Sequence, residues 1–217
     1  MAKVFCLVNQ KGGCAKTQST MQIAGELAVR GNKVAVIDMD PQGTAVTWNS
    51  QSPDETPFPA TVFSLSAVGS KIFSEIRKHS PNFDYILIDC PPAIDSEVPW
   101  HVLLASQLAI VPVLPDMGNI WASKKAIDLT ELAKRHNHSL KVKVLAARVP
   151  RGKAYQVCLE ELRDNAAISM FETQLADRVA YPESQIFGSC ISITSPKSAA
   201  GKEVSKLVDE ILIELGH

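Results

Sequence analysis

Six short apolar runs alternate along this chain with stretches of helical periodicity, and that order limits the possible folds more than any other feature. The runs are KVFCLV (3–8), KVAVID (33–38), ATVFSL (60–65), DYILID (84–89), LAIVPVL (108–114) and KVKVLAA (141–147). They are short, largely apolar and rich in Val and Ile, the pattern of strands covered on both faces. Helical patterns fall between and after them, at 16–30, 67–79, 96–106, 119–137, 153–166 and 197–215. Strand–helix alternation of this kind predicts an α/β fold, a mostly parallel twisted sheet with helices on both faces. With 217 residues, 46% of them hydrophobic, the chain suits a single domain over 1–217 around one substantial core. In such sheets ligands bind outside the carboxyl ends of the strands, so those ends are where chemistry is expected.

Several function classes are disfavoured. The longest nearly apolar stretch, Val102 to Leu114, is interrupted by Ser106, Gln107 and Pro112, and it falls short of the roughly 20 residues that cross a bilayer. The first strand begins at Lys3, which leaves no space for a signal peptide. Five scattered cysteines (Cys6, Cys14, Cys90, Cys158 and Cys190), with no C-x-x-C spacing, suggest neither a disulfide framework nor a zinc site. A cytoplasmic protein is the expectation. Formal charge is −1, unevenly placed: residues 124–153 carry Lys124, Lys125, Lys134, Arg135, Lys141, Lys143, Arg148, Arg151 and Lys153 against Asp128 and Glu131. That segment is either a polyanion footprint or a solvated helix face with strand ends.

Three motifs sit where a phosphate site belongs. NQKGGCAKTQST (9–20) joins the first strand to the first helix, where free backbone N–H groups and the helix dipole favour an anion. Gly12 and Gly13 let the backbone wrap phosphate oxygens, Lys16 brings a point charge to the β and γ phosphates, and Thr17 offers a hydroxyl to magnesium. The common pattern G-x-x-x-x-G-K-[ST] is nevertheless broken, by Gln10 and Ala15, and an extra Lys11 is present. VIDMDPQG (36–43) ends the second strand with Asp38 and Asp40, acids suited to supporting a metal's water shell and to orienting attacking water. DYILIDCPP (84–92) ends a buried strand in Asp89, the place of a magnesium carboxylate. Taken singly, each motif also reads as a turn or a helix cap.

Together the three resemble the ParA/MinD family of P-loop ATPases with a deviant Walker A motif, K-G-G-x-G-K-[ST], read here as Lys11, Gly12, Gly13, Cys14, Ala15, Lys16 and Thr17. The stretch 175–212 resembles the C-terminal part of the compact ParA/ParF-type partition ATPases, so the likeness spans nearly the whole chain. The resemblance implies a P-loop NTPase fold, ATP and Mg2+ as cofactors, and slow ATP hydrolysis. It implies catalytic roles for Lys11, Lys16 and Asp40, and metal-side roles for Thr17, Asp38 and Asp89. Nucleotide contacts would run from Lys11 through Gln18, with base contacts from Arg148 and from Pro182 in a loop at Tyr181–Glu183. In the family the extra lysine reaches the partner's phosphates in a sandwich dimer, so Lys11 would couple ATP to homodimerisation. Three positions depart from the pattern. Ala15 replaces a glycine, at a cost on the order of 1 kcal/mol if φ is positive there. Gln18 replaces a second threonine, and Arg148-Val149-Pro150 stands where an asparagine is expected.

The resemblance further implies nonspecific DNA as a partner when ATP is bound, with Lys124, Lys125, Lys134, Arg135, Arg151 and Lys153 as candidate contacts, and a ParB/ParG-like adaptor that stimulates hydrolysis. A membrane partner is not expected. Val204, Leu207, Val208, Ile211, Leu212 and Leu215 form one apolar stripe, but residues 202–217 carry Lys202 and Lys206 against Glu203, Asp209, Glu210 and Glu214. A net acidic helix suits packing on the sheet better than lying on anionic lipid. Two other readings stay open: a metabolic ligase or kinase on the same fold, and a module that holds ATP with little turnover.

Overall fold

The computed structural model describes residues 1–92, 97–165 and 169–216. Its centre is a six-stranded sheet ordered β3-β2-β4-β1-β5-β6, built from β1 (Lys3–Leu7), β2 (Val34–Asp38), β3 (Thr61–Ser64), β4 (Tyr85–Asp89), β5 (Leu108–Val113) and β6 (Lys141–Ala146). All five pairings are parallel. The register sets Leu7 beside Asp89 and Asp38 beside Asp89, so the acids that end β2 and β4 are neighbours at one edge.

Alternation within each strand explains why both faces are apolar. Phe5, Leu7, Val34, Val36 and Leu87 point to one side and pack with Met21, Ile23 and Leu27 of α1 (Lys16–Val29) and with Val204, Leu207, Val208 and Ile211 of α9 (Ala199–Leu215). Val4, Cys6, Ala35, Ile37, Ile86 and Ile88 point to the other side. They meet Ile72 and Ile76 of α3 (Ile72–His79), Val102 and Leu103 of α4 (Val98–Ala105), and Ala126 and Ala133 of α5 (Met117–Lys134). The closing helix therefore spends its apolar stripe on the core, as its acidic balance predicts. Its acids are tied inward too: Asp209 pairs with Arg30 at 2.6 Å, Glu203 with Arg178 at 2.5 Å, and Glu214 with Lys143 at 3.0 Å. Among the described residues no helix is long and apolar enough to cross a membrane.

All six expected strands form, with ends shifted by a residue or so. The helix ends expected at 96 and 166 lie outside the described residues. α5 starts at Met117 rather than 119 because Asp116 accepts the N–H of Asn119 at 2.9 Å and caps it. Three elements escaped the sequence pattern. One is α2 (Thr44–Ser50), placed inside what reads as turn and loop. Another is α7 (Ala180–Ile186), which corrects the loop expected at Tyr181–Glu183; the following α8 is a single turn at Ile191–Thr194. The last is an interrupted parallel edge beyond β6, with Val144 bridged to Met170 and Val149 to Ala176. α6 (Lys153–Asn165) lies between β6 and that edge in the chain.

Candidate nucleotide site

The loop between β1 and α1 is braced from below. Asn9, fully buried, donates through Nδ2 to the carbonyl of Pro112 at 2.8 Å and to Ser123 Oγ at 3.0 Å, while its Oδ1 accepts the N–H of Lys11 at 3.1 Å. Gly13 (φ 74°) and Ala15 (φ 66°, ψ 25°) both take left-handed backbone conformations. Ala15 thus occupies a conformation that disfavours a Cβ, and the surrounding contacts hold it there. Lys16 is 7% exposed and reaches back across the loop, its Nζ donating to the carbonyl of Lys11 at 3.0 Å. Cys14 is buried beside it, 3.7 Å from that ammonium. Burial pushes its thiol above the ordinary cysteine range despite the Lys16 charge, which disfavours the reactive thiolate form.

At the end of β4, Asp89 Oδ2 accepts the hydroxyl of Thr17 at 2.6 Å, and Oδ1 accepts that of Thr20 at 3.4 Å. Burial raises the Asp89 carboxyl to about 7, opposed by the Thr17 hydrogen bond and reinforced by the charge of Asp38. Asp38 is also fully buried, and burial raises its carboxyl although the N–H groups of Asp40, Val46 and Ala45 hydrogen-bond to it. Asp40 is half-buried, and its Oδ1 accepts the N–H of Gln42 at 3.0 Å.

These elements surround an open cavity of about 310 Å3. Gly12, Gly13, Ala15, Lys16, Thr17 and Gln18 form one wall. Asp40, Thr44, Trp48, Pro92, Arg148 and Gln185 form the rest. Lys11, Asp38, Asp89 and Pro182 do not line it; Lys11 is half-exposed outside, and Pro182 is exposed on α7, one turn before Gln185. Arg148, like Ala15, has a positive φ (49°), and its guanidinium lies 3.7 Å from Asp177. A larger groove of about 840 Å3 runs along residues 149–152 and 172–179. Its Arg178 and Glu203 satisfy each other, and it contains no loop of free N–H groups, so chemistry rather than size marks the smaller cavity as the site.

The fold divides the basic segment. Lys124 and Lys125 are exposed on α5, Arg135 at its end, and Arg151 and Lys153 at the start of α6. Lys134 pairs with Glu131 at 3.0 Å, Lys141 and Lys143 turn to Glu214, and Arg148 joins the cavity. The nine cations therefore do not make one continuous face. Thr44, Trp48, Pro92 and Gln185 are cavity residues that the sequence did not single out. For Trp48 a signal existed: Gly43 followed by Ala45 and Trp48 at i, i+3 spacing is a short helix with one apolar face.

A family model for an AAA domain (AAA_31) matches residues 2–78, the stretch that contains the loop and the Asp38–Asp40 motif. The maintenance of carboxysome distribution protein A of Halothiobacillus neapolitanus is 26% identical over 215 residues, covering 97% of both chains. The chromosome partitioning protein ParA of Myxococcus xanthus is 23% identical over 252 residues, covering 95% of this chain and 89% of that one. Among solved structures, the septum site-determining protein MinD of Pyrococcus horikoshii, complexed with Mg-ADP, superposes with a TM-score of 0.77 at 18% identity, covering 97% of this chain and 96% of that chain.

Proposed function

We propose that this chain is a member of the ParA/MinD family of P-loop ATPases, a ParA-type positioning ATPase in which ATP and Mg2+ close two copies into a sandwich dimer. One observation carries the dimer: of the two loop lysines, Lys16 lines the cavity of its own chain and Lys11 stands outside it. A second amine in the same loop that does not line the cavity suits an anion belonging to a neighbour, as an arginine finger does.

The residues fit a magnesium ion of the kind that keeps several waters and takes phosphate oxygens. Thr17 and Asp89, a hydroxyl and a carboxylate that meet at 2.6 Å, are hard oxygen donors of the kind magnesium takes. Thr17 and Asp89 would hold Mg2+ there, and the ion would supply neutralisation of phosphate charge. The protein supplies the rest. Lys16, whose Nζ now donates to the Lys11 carbonyl, would offer that N–H to a phosphate oxygen. Gly12 and Gly13 present backbone N–H groups, neither hemmed in by neighbours. Asp40, on the cavity wall, accepts a proton from attacking water and orients it. Arg148 and Gln185, which also line the cavity, would contact the base and ribose.

Nonspecific DNA would be held by the exposed cations of α5 and of the start of α6, and dimerisation doubles their number, which raises affinity through counterion release. Hydrolysis, stimulated by an adaptor protein, returns the monomer and releases the DNA. Sedimentation velocity with a saturating nonhydrolysable ATP analogue and Mg2+ tests this reading. The wild type is expected to sediment as a dimer and Lys11→Glu as a monomer. A monomeric wild type, or a dimeric Lys11→Glu, overturns the sandwich.

A further inference from the structure

Asp38 ends β2 fully buried, yet it does not line the cavity that Asp40 lines. Its carboxylate is engaged by backbone instead. Oδ1 accepts the N–H of Asp40 at 3.0 Å, and Oδ2 accepts those of Ala45 at 2.9 Å and Val46 at 3.3 Å. Ala45 and Val46 are in the first turn of α2, where helix N–H groups have no partner within the helix. The cap position of α2 is Gly43, which has no side chain to offer. The missing acceptor therefore comes from the preceding strand.

α2 so anchored carries Thr44 and Trp48 into the cavity wall. Its far end is fixed as well. Trp48 Nε1 donates to the carbonyl of Ser189 at 3.0 Å, and Ser52 Oγ donates to that of Gly188 at 2.5 Å. The contact is close enough that a Cβ on Gly188 would lie 2.1 Å from the Ser52 nitrogen. Gly188 and Ser189 follow directly on α7, which brings Gln185 to the same cavity. One buried carboxylate thus ties β2 to a helix that lines the cavity and is fixed at its far end to the segment after α7. We propose that Asp38 is a positioning residue: it sets α2, and through α2 the Trp48 and Gln185 wall of the nucleotide cavity, rather than acting through magnesium.

The occupant of the cavity rests on the nucleotide reading above, but the anchoring of α2 does not, so the test begins without nucleotide. In a Trp100→Phe, Trp121→Phe background Trp48 is the single tryptophan. Asp38→Ala and Asp38→Asn are compared with this parent in chelator, by acrylamide quenching of Trp48 and by hydrogen exchange of amides 44–50. Loss of the cap is expected to speed α2 exchange about 5- to 30-fold in Asp38→Ala, less in Asp38→Asn, which keeps one acceptor oxygen, and to raise quenching in the same order. Asp89→Asn, whose partners are on α1, is expected to change neither signal. With ATP at saturating Mg2+, Asp38→Asn is expected to raise KM more than it lowers kcat, the mark of lost positioning. Unchanged exchange and quenching in both Asp38 variants, with a shifted Mg2+ half-saturation, would overturn the proposal. A wild type that does not bind ATP would refute the nucleotide reading alone, because the measurements in chelator still decide the role of Asp38.

Discussion

Replacing Ala15 by glycine is expected to stabilise the protein although it deletes an atom from the loop. Ala15 is held at φ 66°, ψ 25°, where a Cβ costs about 1–2 kcal/mol through its clash with the following carbonyl oxygen. Glycine relieves that strain but gives the unfolded chain more freedom, which returns about 0.4–1 kcal/mol. The balance is a gain of about 0.5–1 kcal/mol. Unfolding entropy of about 2.1 cal/mol/K per residue, over 217 residues, gives roughly 0.46 kcal/mol/K, so Tm should rise by about 1–2 °C. Differential scanning calorimetry of nucleotide-free protein measures the shift. Ala15→Val is the counter-test, because a β-branched side chain is disfavoured further in this backbone region, and its Tm should fall. An unchanged or lower Tm for Ala15→Gly would refute the assignment of strain, and would mean that the Ala15 Cβ contributes packing worth more than its conformation costs.

Other expectations can be checked alongside. Gly188→Ala places a Cβ against the Ser52 backbone at φ +57°, so urea unfolding should show a loss of about 2–4 kcal/mol; a neutral result would refute the close packing of α2 on that loop. Asp89, raised to about 7 from 3.8 by burial, holds its proton more tightly in the folded state. Its contribution to nucleotide-free stability is complete below the unfolded value and is lost as pH rises through about 7. Between pH 5 and pH 8 the wild type should therefore lose stability that Asp89→Asn keeps, and parallel pH profiles would count against the buried acid. The pair Lys124→Ala, Lys125→Ala removes four cations from the ATP-bound dimer and should lower the slope of log affinity against log salt for duplex DNA by about 3.6, read from filter binding with ATP; an unaltered slope would remove α5 from the DNA surface.

What was legible in the sequence follows from local chemistry. The central strands announced themselves because strands covered on both faces are largely apolar, and Val or Ile occupies many of their register pairs, as in Ala35–Ile86 and Ile37–Ile88. Phosphate-loop and acid motifs could be placed because a parallel sheet puts strand ends and helix starts on one edge, so Thr17 and Asp89 meet although they are far apart in the chain. The closing helix was readable from its stripe and its acids. α2 was not, because a Pro-Gln-Gly turn precedes it, a Pro-rich loop follows it, and the group that caps it belongs to another element.

The amino-acid sequence by itself determined the architecture, the phosphate loop and the acids at the strand ends, since these depend on residue type and short spacing. Only the tertiary structure decided which charged groups remain available. Lys141 and Lys143 are drawn to Glu214, Arg148 is bent into the cavity, and Lys11 is left outside it. It also decided that Asp38 is engaged by backbone amides while Asp40 faces the cavity. The physical reason is that an ionic group acts through its nearest neighbours and its exposure, and for most of these groups the decisive neighbours are brought together from distant parts of the chain by packing around the two apolar faces of the sheet.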